Sequence, residues 1–199
     1  MIGEIPLDRD PFRVFKVWFE EAARSGIQLP EAVTLATATR DGRPSARMVL
    51  YKGIADGGFV VFTNYESRKA REMDVNPNVA LVFYWARLNR QLRIEGRAVR
   101  SSLELSSEYF ATRPRESQLG AWASPQSEEM DSREELDRRV SELDREYGHQ
   151  NIPCPPFWGG YVIHPHTFEF WIGRDGRLHD RFLYQRSGPT WTITRLAPE

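Results

Sequence analysis

Between Asp10 and Gly26 the apolar residues Phe12, Phe15, Trp18, Phe19 and Ala22 recur at helical spacing, with charged residues between them. Asp10 followed by Pro11 supplies an N-cap and a fixed φ suited to a first turn, so the pattern predicts an amphipathic helix over 10–26. From Ala32 the period shortens. A-V-T-L-A-T-A-T-R, S-A-R-M-V-L-Y-K and F-V-V-F-T-N are β-branched or alternating runs separated by D-G-R-P and A-D-G-G, which predicts three antiparallel strands joined by short turns. A helix is expected from about Glu66 to Val75, and then two more strands, N-V-A-L-V-F-Y-W and R-Q-L-R-I-E-G-R-A-V-R.

Residues 103–113 read as a helix stopped at Pro114, because the residue before a proline is pushed out of the α region. Residues 131–147 read as another, with Leu136, Val140, Leu143 and Tyr147 as its apolar stripe. The chain then returns to strands at Y-V-I-H-P, T-F-E-F-W-I-G, L-H-D-R-F-L-Y-Q and W-T-I-T-R-L. Eight or nine short strands with helices between them predict a mainly antiparallel β fold, a barrel-like sheet with peripheral α-helices, in one domain over 1–199. Residues 1–9 carry no such pattern and are expected to be flexible.

Composition narrows the function classes. The chain has 27 basic and 28 acidic residues, so no bulk field favours nucleic acid or an anionic membrane. Its apolar runs, such as 79–85, are too short to span a bilayer and no basic-then-apolar leader opens it, so a cytoplasmic protein is expected. The single cysteine, Cys154, excludes an intrachain disulfide framework and reads as a packing residue. His164 and His166 form H-P-H with no carboxylate or cysteine nearby, and no metal site is assigned. G-x-G-x-x-G, P-loop and G-x-S-x-G motifs are absent, so a nucleotide would need another device and an organic cofactor becomes the leading class.

Several basic groups then need a reason. F-T-N-Y-E-S-R-K places Arg68 and Lys69 in the first turn of a helix, where the macrodipole is already positive, and an anion held with Thr63 and Ser67 would resolve the conflict. Arg47 and Lys52 bracket a strand and point to opposite faces of an ideal one, as strand-end charges or, with a bulge, as parts of one pocket. Tyr109 and Arg113 share a helix face, with Ser117 in the turn after Pro114, either as a phosphate clamp or as simple packing. In G-R-L-H-D-R-F an extended strand would put Arg177, His179 and Arg181 on one face, which reads as a pocket wall or as a wet edge.

R-M-V-L-Y-K, F-T-N-Y-E-S-R-K, R-Q-L-R-I-E-G, E-Y-F-A-T-R-P-R-E-S-Q-L-G-A-W-A-S-P-Q-S, F-W-G-G-Y, F-E-F-W and R-L-H-D-R-F, in this order from about Asp10 to Pro198, together resemble the pyridoxamine 5'-phosphate oxidase family. The resemblance implies an FMN-binding split barrel and a homodimer whose active sites are each built from both subunits. For the FMN site it implies Arg47, Met48, Val49, Leu50, Tyr51 and Lys52, Phe62 and Thr63, Arg68 and Lys69, completed by Gln91, Gln126, Ser127, Trp171 and Arg181. The substrate phosphate would be held by Lys52, Tyr109, Arg113 and Ser117, while Arg177 and His179, the implied catalytic pair, would flank the pyridine ring.

The implied chemistry is transfer of a hydride equivalent from C4' of pyridoxamine 5'-phosphate to flavin N5, hydrolysis to pyridoxal 5'-phosphate and ammonia, and reoxidation by dioxygen to hydrogen peroxide; pyridoxine 5'-phosphate gives the aldehyde directly. An oxidase of the same fold acting on a phenazine precursor, and a non-catalytic flavin or pyridoxal-phosphate binder, are the alternatives. The family commonly carries a basic R-E-Y stretch that covers the substrate, which the nine residues before Asp10 lack, so lid closure is expected to differ. Ile172 stands where the family often has a polar residue, which is expected to alter a flavin-edge contact, and Asp180 is expected at a subunit interface or paired with an arginine.

Overall fold

The structure, a computed structural model, describes residues 8–198; the flexibility expected of residues 1–9 falls largely on residues outside this range. Its elements are α1 (Pro11–Arg24), β1 (Ala32–Ala38), β2 (Pro44–Ala55), β3 (Gly58–Asn64), α2 (Arg68–Val75), β4 (Asn78–Trp85), β5 (Arg90–Arg100), α3 (Leu103–Ala111), α4 (Arg115–Ala123), α5 (Arg133–Tyr147), β6 (Trp158–Ile172), β7 (Asp180–Ser187) and β8 (Thr190–Leu196). All strand pairs are antiparallel, in the order β3-β2-β1-β4-β5-β6-β7-β8, and β3 also pairs with β6. The β3–β6 pairing closes six strands into a barrel, which removes the sheet edges that would otherwise stay unpaired. β7 and β8 continue outward from the second half of β6.

The barrel core follows from alternation. Val33 and Leu35 of β1, Leu81, Phe83 and Trp85 of β4, Leu92 and Ile94 of β5, and Phe168 and Phe170 of β6 are buried together. Helix α1 starts where the Asp10 carboxylate accepts the Phe12 N–H, and its buried face is Val14, Phe15, Trp18 and Ala22. Phe15 meets Phe59 at 4.9 Å and Phe83 at 5.5 Å, and Trp18 sits edge-on to Phe170 at 5.1 Å. A second cluster of Phe110, Leu119, Ile152 and Trp158 ties α3 and α4 to the start of β6, with Val140, Leu143 and Tyr147 of α5 packed on it.

The structure corrects five expectations. The opening helix ends at Arg24 instead of 26, and the next begins at Arg68 with Ser67 as N-cap. Pro114 does end α3, but it also caps a further helix, α4, its carbonyl accepting from the Ser117 and Gln118 N–H groups; the fixed φ of proline stops one helix and starts the next. The two segments Y-V-I-H-P and T-F-E-F-W-I-G are one strand, β6, carried past Pro165 by a bulge opposite Glu95 and Gly96. There β5 passes so close that a Cβ on Gly96 would lie 2.5 Å from the His164 carbonyl oxygen. Finally, Asp175–Arg177 form a 3₁₀ turn and β7 begins only at Asp180, so Arg177, His179 and Arg181 do not share one strand face.

Because Phe15 fills the junction of α1 with the barrel, Phe15→Ala should lower unfolding free energy by about 3–5 kcal/mol. Urea denaturation of native and variant protein measures this difference.

Candidate functional site

A cavity of about 520 Å³ lies where the outward face of β2 meets the ends of β3, α2 and α3. Met48, Leu50 and Lys52 alternate outward along β2, while Phe62 and Thr63, Lys69, Tyr109, Arg113, Ser117, Gln126 and Trp158 complete most of the wall. Val49 also lines it. The wall contains three cationic side chains, Lys52, Lys69 and Arg113, and no carboxylate. Among the described residues none of the three makes an ion pair with Asp or Glu. Such a cavity favours an anion.

Each cation is set differently. Lys69, in the first turn of α2, donates from Nζ to Thr63 Oγ1 at 3.1 Å, Ser67 Oγ at 3.3 Å and Gln126 Oε1 at 3.0 Å. Burial, and after it the charge of Arg47, bring its pKa from 10.5 down to about 8. Arg113 lies past the end of α3 over the Trp158 ring, at 4.8 Å, and over Phe110, at 5.5 Å. Its Nη1 is buried with no hydrogen-bond partner, and burial lowers its pKa. A donor left this way is expensive unless a ligand completes it. Tyr109 stacks on Phe62 at 4.0 Å, and Phe62 in turn stacks on Trp158 at 5.3 Å. Ser117 stands in the first turn of α4, where the helix dipole also favours negative charge.

The structure therefore brings together Met48, Val49, Leu50, Lys52, Phe62, Thr63, Lys69, Tyr109, Arg113, Ser117 and Gln126 from the expected set. Arg47 is not in the wall. A bulge does occur in β2, between Tyr51 and Ile54, with Gly53 at φ +106°, but it lies beyond the regular stretch that carries Arg47, which turns away from the cavity while Lys52 lines it. Arg47 turns to Glu72 at 3.4 Å, and Arg68 reaches the same carboxylate at 2.9 Å. Tyr51 points into the core against Phe15, Phe19, Phe59 and Phe83. Ser127 follows Gln126 in the left-handed region, with φ +75°.

The remaining expected residues form a second group elsewhere. Gln91 lies opposite Trp171 across β5–β6, and Trp171 lies opposite Arg181 across β6–β7, so the three form one row. His179 packs on Trp171 at 4.6 Å and its Nδ1 accepts the Arg174 N–H at 3.1 Å. Arg177 is exposed at the turn, with φ +61°. Arg181 donates to Glu169 at 2.9 Å and to the Ala197 carbonyl at 3.0 Å. Asp180 is paired as expected, with Arg174 at 2.7 Å and Arg195 at 2.9 Å. Trp158 of the cavity and Trp171 of the second group stand near opposite ends of β6, with roughly 40 Å of strand contour between them.

Two contributors carry no assignment from sequence. Trp158 was visible only as part of F-W-G-G-Y, and its use as the shelf for Arg113 depends on the tertiary fold. Glu72 had a local signal, its i,i+4 relation to Arg68 on a predicted helix.

The architecture and the carboxylate-free cleft define a split barrel built to hold anionic ligands. Residues 19–146 match the family model described as pyridoxamine 5'-phosphate oxidase, and residues 158–198 match the pyridoxine 5'-phosphate oxidase C-terminal dimerisation region. A pyridoxine/pyridoxamine 5'-phosphate oxidase of Rubrobacter xylanophilus is 59% identical over 99% of this chain and 91% of its own length. One from Paraburkholderia phytofirmans is 53% identical over 96% and 91%. The chain belongs to the pyridoxamine 5'-phosphate oxidase family. Among solved structures, PhzG from Burkholderia lata in complex with tetrahydrophenazine-1-carboxylic acid superposes with a TM-score of 0.91 at 33% identity, covering 97% of this chain and 95% of that one. A pyridoxamine 5'-phosphate oxidase-related, FMN-binding protein of Nostoc punctiforme, with TM-score 0.76 and 18% identity over 96% and 100%, shares the fold.

The chain has only three lysines, Lys16, Lys52 and Lys69, which makes the Lys69 ammonium directly observable. An NMR titration of the lysine ε-methylene signals should show one group titrating near 8, and Lys69→Arg should remove that signal. An anion bound beside it favours the charged form, so anion affinity is full below that pH and falls as pH rises through it.

Proposed function

We propose that this chain is an FMN-dependent oxidase that converts pyridoxamine 5'-phosphate, and pyridoxine 5'-phosphate, to pyridoxal 5'-phosphate, with dioxygen as electron acceptor and hydrogen peroxide as product. The observation that carries this reading is a cleft with two separate cationic stations and no carboxylate, one of which leaves Arg113 Nη1 buried and unpartnered. FMN and the substrate each bring one phosphate. Lys69 with Thr63, Ser67 and Gln126 at the start of α2 suits the flavin phosphate, and Lys52, Tyr109, Arg113 and Ser117 suit the substrate phosphate.

When bound, the flavin supplies the redox chemistry, taking a hydride equivalent from substrate C4' and passing the electrons to dioxygen. The protein orients the reacting carbon. Lys52 and Arg113 anchor the phosphate end, and Met48, Leu50 and Phe62 offer apolar surface to planar rings. The ring itself meets a group that a single chain does not place in this cavity. Since roughly 40 Å of β6 separates the two groups, Arg177 and His179 reach the substrate from the second subunit of a homodimer, consistent with the match of 158–198 to a dimerisation region. His179 Nδ1 already accepts from Arg174, which leaves the imidazole proton on Nε2 as a donor to the pyridine ring.

A second reading follows from the likeness to PhzG, whose complex holds tetrahydrophenazine-1-carboxylic acid. Two cations with a hydroxyl and a phenol at one station fit a phosphate dianion better than a single carboxylate. Purified protein supplied with FMN should give aldehyde product and hydrogen peroxide from pyridoxamine 5'-phosphate in air; absence of aldehyde, with oxidation of tetrahydrophenazine-1-carboxylic acid, would transfer the assignment to the second reading.

The shared site gives a separate expectation. Arg113→Ala and His179→Ala homodimers should both be nearly inactive while retaining FMN. Co-expressed, the two chains form heterodimers in which one site is intact, so about a quarter of native activity should return. No recovery would place both residues in the same subunit's half of the site.

A further inference from the structure

We propose that Glu72 is a positioning residue for the flavin phosphate: its buried carboxylate, braced by Arg47, fixes the guanidinium group of Arg68 beside the start of α2, so that the phosphate meets a donor already oriented. The proposal rests on the FMN reading above.

Glu72 is only 5% exposed, buried on the same helix as the core residues Ala70 and Met73. Four donors from three elements converge on its carboxylate: Thr37 Oγ1 of β1 at 2.5 Å, Ser45 Oγ of β2 at 2.6 Å, Arg68 Nε of α2 at 2.9 Å and Arg47 Nη2 of β2 at 3.4 Å. Burial alone would raise its pKa, but the hydrogen bonds from Ser45, Thr37 and Arg68 prevail and bring it down to about 2, so it stays ionised under any working condition. A buried ion pair of this kind is a poor device for stability, since apolar replacement is often as good. Orientation is the better account. Arg47 is locked on both Nη atoms, to Leu35 O, Thr37, Ser45 and Glu72. Arg68 uses Nε for Glu72, and its two Nη atoms donate to no other group among the described residues. That leaves a fork of N–H groups, half in solvent, held one helical turn from the residue that anchors it.

Neutralisation is the competing role, and the two differ in sign. A carboxylate that merely cancels charge weakens the pull on an anion, so its removal would tighten FMN binding. A carboxylate that orients a guanidinium donor improves binding, so its removal would weaken it.

Fluorescence titration of apo-protein with FMN separates them. Glu72→Gln is expected to bind FMN about tenfold more weakly, the loss of one charge-assisted hydrogen bond's orientation. KM for pyridoxamine 5'-phosphate at saturating FMN should stay near native, and Glu72→Asp should recover part of the affinity. Ser45→Ala, which keeps every charge but removes one strut, should weaken FMN binding by a smaller factor. A folded Glu72→Gln that binds FMN as tightly as native, or tighter, overturns the proposal. If Glu72→Gln fails to fold, unchanged FMN affinity in Ser45→Ala overturns it instead. Native protein that takes up no FMN overturns the functional reading itself.

Discussion

The long strand β6 is the constraint on which the remaining architecture depends. Its first half pairs with β3 and closes the barrel, its second half pairs with β7, and β5 runs beside both halves. One strand can serve three neighbours only if it is long and bent, and the bulge at Pro165 opposite Gly96 supplies the bend. The consequence reaches the site. Trp158, which shelves Arg113, and Trp171, against which His179 packs, are fixed near opposite ends of the same rigid element. No loop movement in one chain brings those ends together. A second copy can.

The electrostatics of the chain show a division of labour among its arginines. Three buried or half-buried carboxylates each hold two of them: Glu72 takes Arg47 and Arg68, Glu169 takes Arg93 and Arg181, and Asp180 takes Arg174 and Arg195. Lys52, Lys69 and Arg113 are left without carboxylates, and these three share the cavity. Near-zero net charge for the whole chain thus coexists with strong local charge, because carboxylates that pair arginines elsewhere are withheld from the cavity wall.

Much of this was legible in the sequence, and the reasons differ by residue. Alternation in β1 to β5 and the Asp10-Pro11 start of α1 report local geometry directly, and those elements stand within a few residues of where the periodicity puts them. The cationic start of α2 was also legible, because Arg68 and Lys69 contradict the local dipole and the contradiction needs an anion or a carboxylate to resolve it. Arg68 resolves it with Glu72, while Lys69 has no carboxylate and donates to Thr63, Ser67 and Gln126. What periodicity could not show is where non-local pairing overrides it. Pro165 reads as a strand break in isolation, and only the bulge against β5 lets β6 continue. Arg177 and His179 read as strand residues, but the turn at Gly176, φ +63°, holds them off the sheet.

Arg113 shows how the fold sets stability against function. Its guanidinium stays charged at any ordinary pH, yet burial has removed water from Nη1 without supplying a protein acceptor. The Trp158 and Phe110 rings return part of that cost through their π faces, on the order of 1–2 kcal/mol in a desolvated setting, less than an unmade charged hydrogen bond. The remainder is free energy the folded chain forgoes until an acceptor enters the cavity. An aspartate within reach would recover it at once, and would also occupy the donor and repel a phosphate. The absence of any carboxylate from that wall is therefore what allows the residue to discriminate, since only a ligand that brings its own negative charge completes Arg113.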